Sequence, residues 1–428
     1  MSRNIGRYTV LGRLGQGGMG TVYKVRHREL GRIMALKLLQ PNDLLVQIMG
    51  AEAVQAAFLR EARLMAACDH RNLATVWDLD QDQGRFFMVL EYMCMNVGAL
   101  IGEGMVAEAP TRAMSPLLAL DVVRQTLAGL GFLHRAGVVH RDVKPANLLL
   151  ASDGVIKVID LGLSRMRGET GIRSRGLKVG SPYYCAPEQE DDPGRAGPAA
   201  DLYSAGVLLH RLLTGMLPDG GPVAAPLFTP PWIEFFRQAL AEDPEDRFAD
   251  ARIMRDFLDL LEEDLRSRSD ADCMLPEPAC TVLGQLRSRP LRTGVFPRPF
   301  PFLDGLNRPL AFHQGGLKEV EDGELDVCTG LVWGHVSPWP MTWDEARAFV
   351  AESGKEWRLP TVDELVSLLR PAQGPDGCCP WPFPDRHLWL WTADRRSFCS
   401  AWFVDLSSSA VLYQDTTCRF HARPVRPA

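Results

Sequence analysis

The sequence predicts an α+β chain of two unequal domains, and three observations carry that prediction. Strand-like segments precede helix-like ones between residues 8 and 214, an order typical of α+β architecture rather than alternating units. A proline-rich stretch divides the chain, with Pro276, Pro278, Pro290, Pro297, Pro299 and Pro301 among scattered arginines from Arg266 onward. Such a stretch holds neither helix nor central strand and is partly extended. Tryptophan is unevenly placed: Trp77 and Trp232 alone precede residue 330, and the other eight of the ten follow it. The expected organisation is a first domain at about 8–265, a semi-rigid linker at 266–301 and a second domain at 302–428, with no internal repeat.

In chain order, Tyr8–Leu14 and Thr21–His27 have the apolar and β-branched content of strands around a glycine turn. Ala51–Ala67 reads as a helix, Ala119–Ala136 as a second apolar helix, and Ala199–Thr214 as a third closed by Gly215. In the second domain, Thr342-Trp343-Asp344-Glu345 is a capping box, with Ala346, Phe349 and Val350 on one face and Gly354 as a stop. Thr361-Val362-Asp363-Glu364 is another, with Leu365, Leu368 and Leu369 ahead of Pro371. Short strands follow at Leu388–Thr392, Ala401–Leu406 and Val411–Gln414.

Composition excludes several classes. At 428 residues, 46% hydrophobic and 23% charged, the chain is not wholesale disordered. A formal net charge of -6 gives no reason to expect nucleic acid or an anionic membrane surface as partner. No apolar run approaches the roughly 18 residues that span a bilayer, and Met1–Val10 lacks the apolar stretch of a signal peptide. Ten cysteines are too few for a disulfide scaffold, and none is in CxxC spacing. The expectation is a soluble cytoplasmic protein with free thiols and no membrane span.

Chemistry concentrates in five motifs. Gly15, Gly17 and Gly20 form GxGxxG, where the absence of Cβ lets backbone amides approach phosphate. A dinucleotide-binding turn would need a helix next, but Thr21-Val22-Tyr23-Lys24-Val25 alternates like a strand, which places the loop over a nucleotide between two strands. Lys37 ends the apolar Met34-Ala35-Leu36-Lys37, and Glu61 on the next helix is positioned to pair with it. His140-Arg141-Asp142-Val143-Lys144-Pro145-Ala146-Asn147, Asp160-Leu161-Gly162 and Ala186-Pro187-Glu188 complete the series. Each alone reads equally as a solvated turn; their joint order does not.

Residues 8–265 carrying these motifs resemble the protein-kinase superfamily and are most similar to bacterial Hanks-type Ser/Thr kinases. The resemblance implies a bilobal kinase fold, with an N-lobe at about 8–93 and a C-lobe at about 94–265, and ATP and Mg²⁺ as cofactors. It implies that Gly15, Gly17 and Gly20 cover the phosphates, with Val22, Ala35, Glu91, Met93 and Leu149 also lining the ATP site. Lys37, oriented by Glu61, would hold the α- and β-phosphates; Asp142 would accept the substrate hydroxyl proton; Asn147 and Asp160 would bind the metal; Lys144 would contact the γ-phosphate. Glu188 would pair with Arg247, and Asp201 would anchor the catalytic loop. Phosphoryl transfer needs positioning and charge neutralisation more than covalent chemistry, which suits these residue types.

Three departures from the family pattern stand out. Leu161 replaces the usual Phe, the connection from Leu38 to Ala56 is long, and the chain between Gly215 and Trp232 is short and proline-rich. None removes a catalytic group. In the family, an arginine placed like Arg141 often receives a phosphate from the activation segment, here Leu163–Tyr184, whose hydroxyls include Ser164, Thr170, Ser174 and Ser181. Ser181 resembles the residue that contacts the catalytic loop, which leaves Thr170 and Ser174 as candidate phosphosites, or as ordinary loop residues.

A second resemblance covers about 325–427. Gly330-Leu331-Val332-Trp333, Trp357-Arg358-Leu359-Pro360-Thr361, Trp389-Leu390-Trp391-Thr392, Trp402-Phe403-Val404-Asp405 and Arg423-Pro424-Val425-Arg426 are similar to the bacterial C-type-lectin-like fold of the Lcl C-terminal type. That implies a smaller α+β domain serving ligand or partner recognition, with most tryptophans in its core. Ligand contact is expected on the late loops, at Phe398, Cys399, Ser408, Ser409, Tyr413, Asp415, Phe420 and His421. Some domains of this kind are hypervariable targets of diversity-generating retroelements; the residue types here fit such a site and fit ordinary loops. Cys378-Cys379 and the Cys399, Cys418 pair read as metal or redox sites, or as free thiols, the latter being the simpler reading.

The leading expectation is an ATP-dependent serine/threonine protein kinase acting on a protein substrate, with a C-terminal recognition domain. The alternative is a ligand-binding protein on a non-catalytic kinase-like scaffold, and a third reading is a small-molecule phosphotransferase. Lys37, Asp142, Asn147 and Asp160 favour the first over the second, while Lys144 and Ala186-Pro187-Glu188 speak against the third. Protein substrate, C-terminal ligand and oligomeric state are left open.

Overall fold

The computed structural model describes residues 4–104, 106, 108–151, 153–160, 182–191, 196–218, 228–272, 286–291, 300–310, 316–354, 356–369, 389–406 and 409–428. Two compact units are present: Met1–Ala109, Asp121–His210 and Leu217–Leu260 in one, and Pro110–Leu120, Arg211–Met216 and Leu261–Ala428 in the other.

The first unit begins with a six-stranded antiparallel sheet of β1 (Asn4–Ile5), β2 (Tyr8–Gln16), β3 (Gly20–His27), β4 (Ile33–Leu39), β5 (Val76–Asp82) and β6 (Arg85–Glu91), in the order β1-β2-β3-β4-β6-β5. Alternation sets its two faces. Tyr23 and Val25 of β3, Met34, Leu36 and Leu38 of β4, and Phe87 and Val89 of β6 form one buried cluster. Burying each such side chain contributes about 1.5–3 kcal/mol. The opposite face carries Val22, paired in register with Lys37, and Ala35, paired with Lys24. Gly20 starts β3 where any Cβ would lie 2.0 Å from the Leu38 carbonyl oxygen, so no other residue fits there without moving β4.

Two helices join β4 to β5. The long connection expected after Leu38 contains α1 (Asp43–Met49), whose first turn is capped by Asn42 accepting from the Leu45 amide at 2.8 Å. Gly50, at φ +81°, ends it, and α2 (Ala51–Ala67) follows with the bounds expected from sequence. Val54, Ala57, Phe58, Glu61, Ala62 and Met65 form the buried stripe of α2, so Glu61 is a carboxylate in an otherwise apolar face.

Beyond β6 come β7 (Met95–Asn96), α3 (Val97–Ile101), α4 (Pro116–Arg135), β8 (Leu148–Leu150), β9 (Ile156–Val158), α5 (Pro187–Asp191), α6 (Pro198–Thr214), α7 (Pro230–Ala239) and α8 (Ala251–Asp272). Strands β7, β8 and β9 make a small antiparallel sheet that frames the loop 140–147. Against the expectation from sequence, α4 has the length and composition to cross a membrane, the one such helix among the described residues. With 56% of its most apolar window buried inside the fold, and Val123, Leu127, Leu130 and Leu133 all buried, it reads as a core helix. Helix α8 runs to Asp272, several residues into the stretch read as linker.

The second unit contains an antiparallel sheet of β10 (Leu317–Val320), β11 (Gly323–Asp326), β12 (Leu331–Trp333) and β16 (Val425–Pro427), and another of β13 (Trp389–Arg395), β14 (Ser400–Asp405) and β15 (Ala410–Asp415). Helices α9 (Trp343–Glu352) and α10 (Val362–Val366) both start on the capping boxes anticipated from sequence, Thr342 with Glu345 and Thr361 with Glu364. Trp333, Leu365, Leu369, Leu390, Val404, Val411 and Val425 form the core, joined by Phe300 and Leu303. Buried Asp394 fixes the segment before residue 300: it accepts from Arg287 Nη1 and Nη2 at 2.8 and 2.9 Å, from the Leu291 amide and from the Val362 amide at 2.7 Å. Residues 286–291, also read as linker, are thereby packed into this unit.

The thiols differ from expectation as well. Cys94, Cys328 and Cys418 are disulfide-bonded, while Cys68, Cys185 and Cys399 are free. The Cys399, Cys418 pair is therefore not a shared metal or redox site. Cys378 and Cys379 lie outside the described residues.

Candidate active site

Lys37 is the centre of the site. Strand alternation places it on the face opposite the Leu36 core, where its Nζ donates to Glu61 Oε1 at 2.8 Å and to Asp160 Oδ1 at 2.8 Å. Helix α2 supplies Glu61, and the residue after β9 and Ile159 supplies Asp160. Burial works against the Lys37 charge, but Asp160 and then Glu61 outweigh it and hold the ammonium well above its ordinary pKa. Lys37 in turn keeps the Asp160 carboxyl below the usual range, while burial pushes Glu61 up. Among the described residues, Glu61 Oε2 is buried without a hydrogen-bond partner.

The loop 140–147 supplies the second group of residues. Asp142 accepts from Lys144 Nζ at 2.9 and 2.8 Å through its two carboxylate oxygens, and from Asn147 Nδ2 at 2.9 Å through Oδ2. Asn147 Nδ2 also donates to the Asp142 carbonyl at 2.8 Å, which closes the loop on itself. Arg141 sits at φ +67° and Asp160 at φ +65°, both in the left-handed region that side chains other than glycine rarely adopt.

Asp201 on α6, fully buried, accounts for the strain at Arg141. Its Oδ2 accepts the His140 amide at 2.8 Å and its Oδ1 the Arg141 amide at 2.6 Å, with His134 Nε2 2.7 Å from Oδ2. Gln189 Nε2 donates to the Arg141 carbonyl at 3.1 Å, and His140 Nε2 lies 2.8 Å from the Ile159 carbonyl oxygen next to Asp160. Below the loop, Arg247 grips Glu188 with both ends of its guanidinium at 2.8 Å. Sequence reasoning did not find His134 or Gln189; their only signal is placement at the end of α4 and just after Ala186-Pro187-Glu188.

The structure brings together Lys37, Glu61 and Asp160, and separately Asp142, Lys144 and Asn147, as described above. Gly15 lies on β2 paired with Val22, and the turn that follows is closed by the Gly17 amide donating to the Gly20 carbonyl at 2.9 Å. The carbonyls of Met19 and Gly18 accept from Gln40 and Asn42 at 2.9 and 3.0 Å, tying the turn to the start of α1. Glu91 Oε1 accepts from both Lys157 Nζ and the Thr75 amide at 2.8 Å. Met93 and Leu149 are part-buried on the chain leaving β6 and on β8. The Arg141 guanidinium donates to the Ala196 carbonyl at 3.2 and 3.0 Å. Leu161, Ser164, Thr170, Ser174 and Ser181 lie outside the described residues.

In the second unit the expected ligand residues separate. Phe398 is 91% exposed and Cys399 is exposed in the β13–β14 turn. Tyr413 is half-exposed, with the Arg396 guanidinium 3.5 Å from its ring centroid. Ser409 turns at φ +50°, and Asp415 accepts from the Thr417 amide and hydroxyl. Two of the expectations fail. Phe420 is buried against Trp389, Trp391 and Phe403, and His421 Nδ1 lies 2.8 Å from the Ser337 carbonyl oxygen while its backbone joins β13; both are structural. Ser408 lies outside the described residues.

With this geometry in place, comparison with known proteins is specific. Residues 8–222 match the protein kinase domain family, and residues 324–426 match the Lcl C-terminal domain. The serine/threonine-protein kinase PknL of Mycobacterium bovis is 33% identical over 314 residues, covering 67% of this chain and 76% of that protein. PrkC of Bacillus subtilis, also a serine/threonine-protein kinase, is 31% identical over 288 residues, 62% of this chain and 41% of that protein. Among solved structures, the PknI kinase domain of Mycobacterium tuberculosis aligns with 61% of this chain and 98% of that one, at 25% identity and a TM-score of 0.45.

Proposed function

This chain belongs to the protein kinase family and is a serine/threonine protein kinase; from that premise we propose how its own residues carry the transfer. Lys37 holds the α- and β-phosphates of ATP, with Glu61 fixing its direction and the glycine turn 15–20 lying over the phosphates. Asp142 accepts the proton of the substrate hydroxyl, and Lys144 shifts from Asp142 toward the γ-phosphate once substrate is present. The observation that carries this reading is Lys37 bridging Glu61 and Asp160 at 2.8 Å each, which ties the N-terminal sheet, α2 and the end of β9 into one arrangement.

A divalent cation fits the donor set. Asn147 spends its Nδ2 on Asp142, leaving its amide oxygen, and Asp160 gives only Oδ1 to Lys37, leaving Oδ2. One carboxylate oxygen and one amide oxygen, with substrate phosphates, are what Mg²⁺ takes in place of an all-protein cage. When bound, Mg²⁺ neutralises charge on the phosphates. The chain's contribution is position: Asp201 holds His140 and Arg141, the loop orients Asp142, and Asn147 closes it.

We assign 8–265 to the kinase domain, 302–428 to a lectin-like domain that recognises a ligand or partner, and the stretch between them to a connection partly packed on the second. Thr170 and Ser174 are the proposed sites of self-phosphorylation, and the cytoplasm is the proposed compartment, since the reaction consumes ATP. Disulfide-bonded cysteines, three of them among the described residues, are unusual in a reducing compartment, so thiol titration of the purified chain belongs beside the activity assay. The test of catalysis is incubation with Mg-ATP beside Asp142→Asn, with new phosphate located by mass spectrometry. Phosphate on Thr170 or Ser174 in the parent alone supports the roles given; equal phosphate in Asp142→Asn overturns the role of Asp142.

A further inference from the structure

The second unit contains a cleft that the kinase reaction does not use. Its volume is about 740 Å³, within the range of small-molecule sites. Val350, Leu359 and Leu291 give it an apolar lining, Trp343 and Trp357 give it ring surface, and Arg347 and Arg395 give it charge. Helix α9 presents Trp343, Arg347 and Val350 on one face at i, i+4 and i+7. The Trp343 indole N–H donates to the Thr392 carbonyl at 2.8 Å, which fixes the ring against β13.

Charge is the informative part. The guanidiniums of Arg347 and Arg395 each lie 4.9 Å from the centroid of the Trp343 ring. Among the described residues neither has a carboxylate in ion-pairing range. Arg395 bonds through Nη2 to the Phe398 carbonyl, and its buried Nε has no partner. Of the acids in this unit, Glu364 pairs with Arg358, Asp394 and Asp363 with Arg287, and Glu345 with Arg419, while Asp344, one turn before Arg347, forms no ion pair with it among the described residues. Phe398, 91% exposed, also lines the cleft, an exposed aromatic ring beside two guanidiniums that have no carboxylate partner among the described residues. Planar guanidiniums bind oxyanions through paired donors, and the rings accept a flat or branched apolar body.

We propose that this cleft binds a small organic acid: an oxyanion held by Arg347 and Arg395, with an aromatic or branched apolar body against Trp343, Trp357 and Phe398. The inference rests on the reading of residues 302–428 as the recognising part of the chain, and it names the ligand class.

The test uses the full chain and three matched probes, 2-naphthoate, its neutral amide 2-naphthamide and the cation 2-naphthylmethylammonium, followed by titration calorimetry. The acid is expected to bind about tenfold or more tightly than the amide, the usual worth of a charge-assisted hydrogen bond, and the ammonium not to bind. Arg347→Gln and Arg395→Gln should each erase most of the acid's advantage while leaving the amide unchanged. Among the described residues Arg347 makes no side-chain hydrogen bond, its contact being the Trp343 ring, so its variant stays informative if Arg395→Gln disturbs the turn. Phe398→Ala should weaken acid and amide alike. Acid, amide and ammonium binding equally, with loss in Phe398→Ala, would overturn the anion assignment and leave recognition by this domain standing. Acid binding undiminished in both arginine variants would overturn the site. If none of the three probes binds a preparation that still phosphorylates in Mg-ATP, the small-acid inference fails while the kinase reading stands.

Discussion

Asp201→Asn isolates what holds the catalytic loop, because it keeps shape and removes one acceptor. In the native protein both carboxylate oxygens accept buried backbone amides, from His140 at 2.8 Å and Arg141 at 2.6 Å. A carboxamide has one acceptor oxygen, so either orientation turns an NH₂ group toward one of those amides. Leaving a buried donor unsatisfied costs about 1–3 kcal/mol. At about 2–4 °C per kcal/mol for a domain of this size, Tm should fall by roughly 2–12 °C. Arg141 at φ +67° makes the functional effect larger than the thermal one. A strained residue of about 1–3 kcal/mol persists only while its surroundings over-determine it, and relaxing it moves the adjacent Asp142. A displacement near 1 Å costs about 10²-fold in rate. The assay is thermal unfolding with and without Mg-ATP beside steady-state phosphotransfer, and Asp142→Asn, which leaves the Asp201 bonds in place, is the control. Asp201→Asn with Tm within a degree of the parent and an undiminished rate would refute the reasoning.

Three further outcomes follow from the geometry. Gly20→Ala places a Cβ 2.0 Å from the Leu38 carbonyl oxygen and must push β3 off β4 beside Lys37; KM for ATP should rise about tenfold or more, and an unchanged KM would sink the argument. Arg247→Ala leaves Glu188 without its two 2.8 Å partners and removes donors to the Ala241, Glu242 and Ala199 carbonyls; urea unfolding should show a loss of about 3–5 kcal/mol, and a loss below about 1 would count against a structural role. The pH dependence has a definite sign. Lys37 holds the Asp160 pKa below its unfolded value of about 3.9, so the stabilisation is complete above that value and disappears only as pH falls through the lower folded one. The destabilisation caused by Asp160→Asn should therefore be the same at pH 5.5 and pH 8, and a penalty halved at pH 5.5 would contradict the assignment.

The kinase site was legible because its chemistry fixes residue type and spacing together. Lys37, Asp142, Asn147 and Asp160 each sit in a short motif, and Glu61 was legible as an acid on the helix after Lys37; that it lies inside the apolar stripe of α2 came from the structure. Helix α1 was missed for a physical reason. None of Asp43–Met49 is buried, so it has no buried face to impose a periodic pattern, and its local signals are confined to its ends, Asn42 and Gly50. His134 was hidden for another reason: a histidine at the end of α4 acquires its role only from Asp201, which lies far away in sequence.

In the C-terminal domain, reading loops as sites went wrong in an instructive direction. Polar and aromatic residues crowd 395–421, but β-strand pairing draws part of that stretch inward. The His421 backbone bonds to Trp391 and Trp389, and Phe420 follows into a ring cluster with centroids 4.5 Å from both Trp391 and Phe403. Burying such a ring contributes about 1.5–3 kcal/mol, so a residue there is retained by the fold whatever the domain binds. The residues left for recognition are those whose polar groups the fold does not consume. Arg347 meets that condition and Arg395 meets it in part, spending Nη2 on the Phe398 carbonyl, and they do so from different elements, a helix face and the end of a strand. No local window contains both, so no motif could have announced them. What marks the pair is an electrostatic remainder: among the described residues Asp394, Glu364 and Glu345 pair with other arginines, while two guanidiniums over one indole ring have no carboxylate in ion-pairing range.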